Sequence, residues 1–212
     1  MGRARAVIFD LDGTLIDSVG DIGRACNQTL RQFGLPEHPL AAYRYFVGDG
    51  VERLIERAMA PLPFDAAVLA AHKVNYAQFL LFETQPYPGI ADALAQLSRA
   101  GVALAVLSNK ADALTKQAVA HFFADVPFVA VAGQRPDVPR KPEPDAALAL
   151  CAQLGVTPQG CVFVGDTSVD IATARNAKIR SIGVQWGSRP EEAARADVAV
   201  TTVAEMVAAI LG

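Results

Sequence analysis

The sequence predicts an α/β protein: a doubly wound parallel sheet with an all-helical segment inserted near its amino end. Three observations predict it. Short apolar runs recur along the chain with little polar alternation, as strands covered on both faces require. Amphipathic stretches of helical period lie between those runs. One gap, residues 18–87, shows helical periodicity only and is far longer than a simple crossover needs.

The first strand is expected at 6–9, where Ala6, Val7, Ile8 and Phe9 run without a polar break. Similar runs place strands at 102–107, 128–132, 161–164, 181–184 and 198–200. Helices at 90–100 and 145–154 stop at Gly101 and Gly155, residues suited to a left-handed cap. Helices at 113–123 and 171–177 fill the remaining gaps, giving βαβ units. Within the insert, Ile22, Cys26, Leu30 and Phe33 make one apolar stripe, stopped by Gly34. Val51, Leu54, Ile55, Ala58 and Met59 make a second, residues 68–82 a third, and a weaker helix is expected at 40–46. The insert leaves after Asp17 and returns at Gln85-Pro86-Tyr87-Pro88-Gly89, whose prolines favour extended backbone. The expected division is therefore a core of residues 1–17 and 88–212 and an inserted helical domain of 18–87. Two crossing strands would form the hinge.

Composition narrows the function. The chain has 212 residues, 52% of them hydrophobic, which suffices for a packed core and excludes a disordered chain. Its net charge is −3 and no basic block occurs, the reverse of what neutralising nucleic-acid phosphates requires. Three cysteines without a CxxC pair suggest neither a disulfide framework nor a thiolate zinc site. Asp10 and Asp12 break the amino-terminal apolar run, and no apolar stretch approaches the ~18 residues of a membrane span. A cytoplasmic setting is expected, with neither nucleic acid nor membrane as partner. Gly48-Asp49-Gly50 lacks the third glycine of a dinucleotide fingerprint, and no GK[ST] occurs.

In an open parallel sheet, ligands gather beyond the carboxyl ends of the strands, near the reversal of strand order. The first strand is followed by Asp10-Leu11-Asp12-Gly13-Thr14 and the second by Ser108-Asn109-Lys110. Lys141-Pro142 lies between the third strand and the next helix, and the fourth leads into Gly165-Asp166-Thr167-Ser168-Val169-Asp170. Carboxylates, a hydroxyl and an ammonium thus converge on one rim. Two unit charges ~5 Å apart repel by about 3 kcal/mol at an effective dielectric of ~20. Three ionised carboxylates give about 10 kcal/mol, comparable to the stability of a whole domain. Such a cluster needs protons or a divalent cation. Oxygen donors without His or Cys favour Mg²⁺ over zinc.

FDLDGTLIDS at 9–18, LSNK at 107–110, KPEPD at 141–145 and VGDTSVD at 164–170 together resemble the four motifs of the haloacid dehalogenase-like phosphohydrolases. The resemblance covers essentially the whole chain and implies a Rossmann-like core with a helical cap at the family's first insertion point. Within the family the chain is most similar to the phosphoglycolate phosphatases, through DGTLIDS, SNK, VGDGVERL and Trp186-Gly187. It implies that Asp10 is a nucleophile forming an aspartyl-phosphate and Asp12 the general acid and base, its pKa raised by anionic neighbours. Mg²⁺ would be held by Asp10, the backbone carbonyl of Asp12, Asp166 and Asp170. Ser108, Asn109 and Lys141 would bind the phosphoryl oxygens.

The substrate implied is a small phosphorylated metabolite, with 2-phosphoglycolate the best single choice. A sugar-phosphate phosphatase, a pyrophosphatase and a β-phosphoglucomutase-like phosphotransferase are the alternatives within the family. Gly48-Asp49-Gly50 would be the substrate-specificity loop, and Arg53 and Lys110 are candidates for the cation facing a carboxylate. A signalling receiver is disfavoured because it places its acceptor Asp after a later strand and lacks a large helical insert. A non-catalytic phosphate-binding protein is disfavoured because Asp10 and Asp12 both remain. A monomer or homodimer is expected. The chain departs from the family pattern at Lys178, where glycine is usual, and at Gln134-Arg135-Pro136, where a Gly- and Asp-rich run is common. His38, His72 and His121 lie outside the motifs and read as packing or surface residues.

Overall fold

β1 (Ala6–Phe9) is buried at every position because both of its faces are covered. The structure, a computed structural model, describes residues 2–212. A tight turn after β1 leads to β2 (Ile16–Asp17), which pairs antiparallel with β3 (Gln85–Pro86). Between these two short strands run α1 (Val19–Gln32), a 3₁₀ turn (Leu40–Tyr45), α2 (Val51–Met59) and α3 (Ala66–Phe79). After β3 come α4 (Ile90–Arg99), β4 (Ala103–Ala111), α5 (Asp112–Phe122), β5 (Phe128–Gln134) and α6 (Asp145–Gln153). The chain finishes with β6 (Cys161–Gly165), α7 (Ser168–Asn176), β7 (Arg180–Val184), α8 (Pro190–Ala193), β8 (Val198–Val200) and α9 (Val203–Leu211).

The six long strands form one parallel sheet in the order β5-β4-β1-β6-β7-β8. Strand order reverses at β1, with Phe9 opposite Val106 of β4 and Val164 of β6. The residues that follow β1 and β6 therefore emerge side by side. Strand alternation divides the core between the two faces. Val7 and Phe9 pack with Leu94, Leu97, Met206 and Ile210 of α4 and α9, whereas Ala6 and Ile8 pack with Leu150 and Ala174 of α6 and α7. The helices between β2 and β3 enclose a separate apolar cluster around Tyr43, with Leu30, Ile55 and Val68. Asp21, almost fully buried, accepts hydrogen bonds from Glu83 N, Thr84 N and Thr84 Oγ1, which fastens the returning chain to α1.

The reading of the sequence gives no helix at α8 or α9, and other elements also differ from it. β4 continues past its apolar run through residues 108–111, with a register shift against β5 between Leu107 and Ala111. Its polar end is buried by the site rather than by the core, so hydrophobicity does not mark it. The segment at 40–46 forms a 3₁₀ turn after Pro39, too short and too tight for an α-helix.

Lys178 follows α7 with φ +57°. Ile179 N donates to Ala174 O and Lys178 N to Arg175 O, a Schellman closure that requires a left-handed residue at this position. A side chain there costs roughly 1–2 kcal/mol, and that of Lys178 is exposed. Lys178→Gly is expected to raise stability by about 1 kcal/mol and the thermal midpoint by ~2–4 °C, measured by calorimetry. An unchanged or lowered midpoint would contradict the strain.

Candidate active site

Asp10 extends the ladder at the strand-order reversal, its backbone N–H donating to Val164 O at 2.9 Å, and its side chain is buried. Asp166 follows β6 and is fully buried; Thr14 Oγ1 donates to its Oδ1 at 3.3 Å and Ser188 N to its Oδ2 at 2.7 Å. Asp170 lies in the first turn of α7, where its Oδ2 accepts from Thr167 N at 3.1 Å and Thr167 Oγ1 at 2.9 Å. Carboxylate oxygens of Asp10, Asp166 and Asp170 all lie within 4.8 Å of one another. Lys141 Nζ is 2.8 Å from Asp10 Oδ1 and 2.7 Å from Asp170 Oδ1. Asn109 holds Lys141 there: Lys141 N donates to Asn109 Oδ1 at 2.9 Å, and Asn109 Nδ2 donates to Lys141 O at 3.1 Å.

The charges are far from balanced. Burial pushes Asp10 up to about 7; the Lys141 ammonium opposes the rise and Asp170 adds to it. Burial, then the neighbouring Asp170 and Asp10, hold Asp166 well above the usual carboxylate range. Burial alone would lower Lys141, but Asp10 and Asp170 outweigh it and keep the ammonium above its ordinary value. The backbone leaves room beside the carboxylates. A Cβ on Gly13, whose φ is +86°, would lie 2.3 Å from Asp166 Oδ2, and one on Gly187 would lie 2.4 Å from Asp166 Cβ. Three buried, oxygen-only donors with no His or Cys among them, in a cradle that excludes side chains, fit a divalent cation.

Asp12 stands apart from that cluster. The sequence suggests anionic neighbours for it, but the structure gives it a cation: Lys110 Nζ donates to its Oδ1 at 2.8 Å and its Oδ2 at 3.1 Å. Ser18 Oγ also donates to Asp12 Oδ1, at 2.5 Å. Lys110 is buried, and its ammonium also donates to the hydroxyl of Tyr76 on α3. Burial works against the charged Lys110, yet Asp12 and Tyr76 hold its pKa above the ordinary value. An ammonium so committed is not a free cation for a substrate carboxylate, which corrects one expectation. Arg53 corrects another: it is exposed, pairs with Glu56 one helical turn on, and does not line the cavity.

Ser108 and Asn109 are buried at the end of β4, beside Asp10 and Asp12 in the lining of one cavity of about 340 Å³. Gly48 and Gly50 line its wall, and the loop they belong to is fixed from the core side. Asn109 Nδ2 donates to Gly48 O at 3.1 Å, and Arg140 NH1 donates to Asp49 O at 3.3 Å. Arg189, buried in the loop after β7, donates through NH2 to Val47 O at 2.6 Å and to Tyr45 O at 3.2 Å. Asp49 itself pairs with Arg57 at 2.6 Å. Residue spacing gives no signal for Arg189 or Tyr76, since each reaches its partner only through the packing of the helical segment on the sheet.

Fold and site together define a hydrolase with a buried carboxylate centre, suited to a divalent metal, beneath a helical insert. A family model described as haloacid dehalogenase-like hydrolase matches residues 7–184, and the chain belongs to that family. It is a phosphatase of the phosphoglycolate phosphatase-like subgroup. A phosphoglycolate phosphatase of Pseudomonas putida is 34% identical over 196 residues, covering 86% of this chain and 70% of the relative. One of Chromobacterium violaceum is 31% identical over 209 residues, covering 95% and 94%. The crystal structure of a protein from Lactobacillus delbrueckii subsp. bulgaricus superimposes with a TM-score of 0.92 at 32% identity, covering 99% of each chain. No helix among the described residues is long and apolar enough to cross a membrane.

Because the folded-state pKa of Asp10 lies above the ordinary 3.8, the folded protein binds more protons between those values and, without metal, loses stability as pH rises through them. His72, which burial lowers to about 4, acts in the opposite sense between there and its ordinary 6.5. Comparison with Asp10→Asn isolates the carboxylate. In chelator, the variant is expected to gain about 2–3 kcal/mol on the parent between pH 5 and 7.5, read from denaturant melts. Parallel profiles would contradict the burial of an uncompensated charge.

Proposed function

We propose that the protein is a Mg²⁺-dependent phosphomonoester hydrolase that works through an aspartyl-phosphate on Asp10. One observation carries this reading: Asp10 is buried beside Asp166 and Asp170 with Lys141 between two of the three, while Asp12 faces the same cavity from outside that cluster. Asp10, Asp166, Asp170 and the carbonyl of Asp12 would hold the metal, which supplies Lewis-acid neutralisation of phosphoryl charge when bound. The carboxylate of Asp10 attacks phosphorus, the ester P–O bond breaks, and Asp12 gives its proton to the departing alkoxide. Asp12 then takes a proton from the water that hydrolyses the acyl phosphate, restoring both residues. Lys110 and Ser18 hold Asp12 in place for both transfers. Ser108, Asn109 and Lys141 position the phosphoryl oxygens and balance their charge. The helical segment, residues 18–87, serves as the cap, with the loop at Gly48, Asp49 and Gly50 closing over the leaving group.

The names of the relatives support 2-phosphoglycolate as a substrate. With Lys110 committed to Asp12 and Arg53 outside the cavity, Lys73 on α3 is the cation that remains: it lines the cavity and is exposed. A cytoplasmic setting belongs to the same proposal and is supported by Cys26, Cys151 and Cys161, all free thiols.

Phosphate release from p-nitrophenyl phosphate and from 2-phosphoglycolate tests the proposal. Turnover is expected with Mg²⁺ and absent in chelator. Asp10→Asn is expected to fall to background, and Asp12→Asn to lose ~10²–10⁴-fold in kcat. Turnover surviving Asp10→Asn would overturn it.

A further inference from the structure

The Lys110 ammonium joins two side chains from different parts of the chain. One is the carboxylate of Asp12, in the turn after β1, to which it donates at 2.8 Å (Oδ1) and 3.1 Å (Oδ2). The other is the hydroxyl of Tyr76 on α3. An ammonium offers three donors and no acceptor, and with this side chain only 5% exposed, protein groups satisfy it in place of water. The backbone of Lys110 is fixed at the end of β4, where Thr115 Oγ1 donates to its carbonyl at 3.1 Å. The four-carbon stem is flexible, so the charge sits where its partners hold it. Tyr76 is a stiff partner. It is buried with Val68 and Leu80 in the apolar cluster of the helical segment, and its ring lies flat against His72, the centroids 5.9 Å apart and the planes 7° from parallel. Ser18 Oγ also holds Asp12, but through Oδ1 alone, at 2.5 Å. A single bond to one oxygen leaves a carboxyl group free to turn; the ammonium, reaching both oxygens, sets its plane.

Resting on the phosphatase reading above, we infer that Tyr76 is a positioning residue for proton transfer to the leaving group. Its hydroxyl holds the Lys110 ammonium against both oxygens of Asp12 and so aims that carboxyl group at the ester oxygen. Without the hydroxyl, a buried ammonium N–H loses its partner and regains one only by moving from its place on Asp12. The consequence is selective. When the P–O bond of an alkyl ester breaks, the departing alkoxide takes its proton from Asp12, whereas p-nitrophenolate is a weak base and departs without one. A misaimed Asp12 therefore slows alkyl esters and spares p-nitrophenyl phosphate.

The test compares kcat/KM of the full chain and of Tyr76→Phe, both with Mg²⁺, on 2-phosphoglycolate, pentyl phosphate and p-nitrophenyl phosphate. This ratio covers the steps up to phosphoryl transfer onto Asp10 and leaves out the later attack by water, in which Asp12 also takes part. Tyr76→Phe is expected to lower both alkyl esters by about 10–100-fold and p-nitrophenyl phosphate by less than about threefold. Tyr76→Met, which also lacks the hydroxyl, carries the same comparison where the phenylalanine variant does not fold. Lys110→Met is expected to show the same selective loss. Adding Tyr76→Phe to it is expected to lower the alkyl esters no further, because Tyr76 acts through the ammonium. Equal losses on all three esters, no loss on the alkyl esters, or a further loss in the double variant would overturn the inference and leave the phosphatase mechanism standing. No turnover of any ester by the unmodified chain removes that mechanism and this inference with it.

Discussion

Burying Asp10, Asp166 and Asp170 within 4.8 Å of one another places three carboxylates where water cannot screen them, and the Lys141 ammonium offsets only part of that charge. Each ionised pair costs about 3 kcal/mol at an effective dielectric of ~20. The raised pKa values of Asp10 and Asp166 express the same imbalance. A site of this kind is stable when it holds protons, and in the proposed mechanism a cation takes their place. The sheet makes it possible, because the reversal of strand order at β1 brings the ends of β1 and β6 together without any long excursion of the chain.

The second constraint is that the proposed acid–base carboxylate be kept out of that cluster. Asp12, two residues beyond Asp10, is drawn away by Lys110 and Ser18. Lys110 in turn reaches Tyr76 of the helical segment. The core grips the same segment at its loop through Asn109, Arg140 and Arg189. Asn109 is shared: one side chain bonds to Gly48 of the loop and to the backbone on both sides of Lys141. The hold on the loop of the helical segment and the placement of the ammonium between Asp10 and Asp170 thus share one side chain.

Much of this was legible in the residues. Apolar runs mark β1 and β6 because strands covered on both faces have no polar side to reveal, and the motif residues collect on one rim because each follows a strand. The run at 102–107 misses the end of β4, where Ser108 and Asn109 are buried by the site instead of the core. The contact of Lys110 with Tyr76 was not legible, since α3 approaches it only after the helical segment packs. Arg53 lies near the loop in sequence, but the helical repeat hands it to Glu56. His72 falls on an apolar helical stripe, and nothing in the stripe shows that one of its buried ring nitrogens has no partner.

A crystal structure of the protein with Mg²⁺ and fluoroberyllate, a mimic of a phosphoryl group bonded to a carboxylate, tests the central claim most directly. The account predicts beryllium bonded to a carboxylate oxygen of Asp10, the cation among Asp10, Asp166 and Asp170, and Lys141 still beside them. Fluoroberyllate on any other residue, or a cation bound away from those three aspartates, would contradict it.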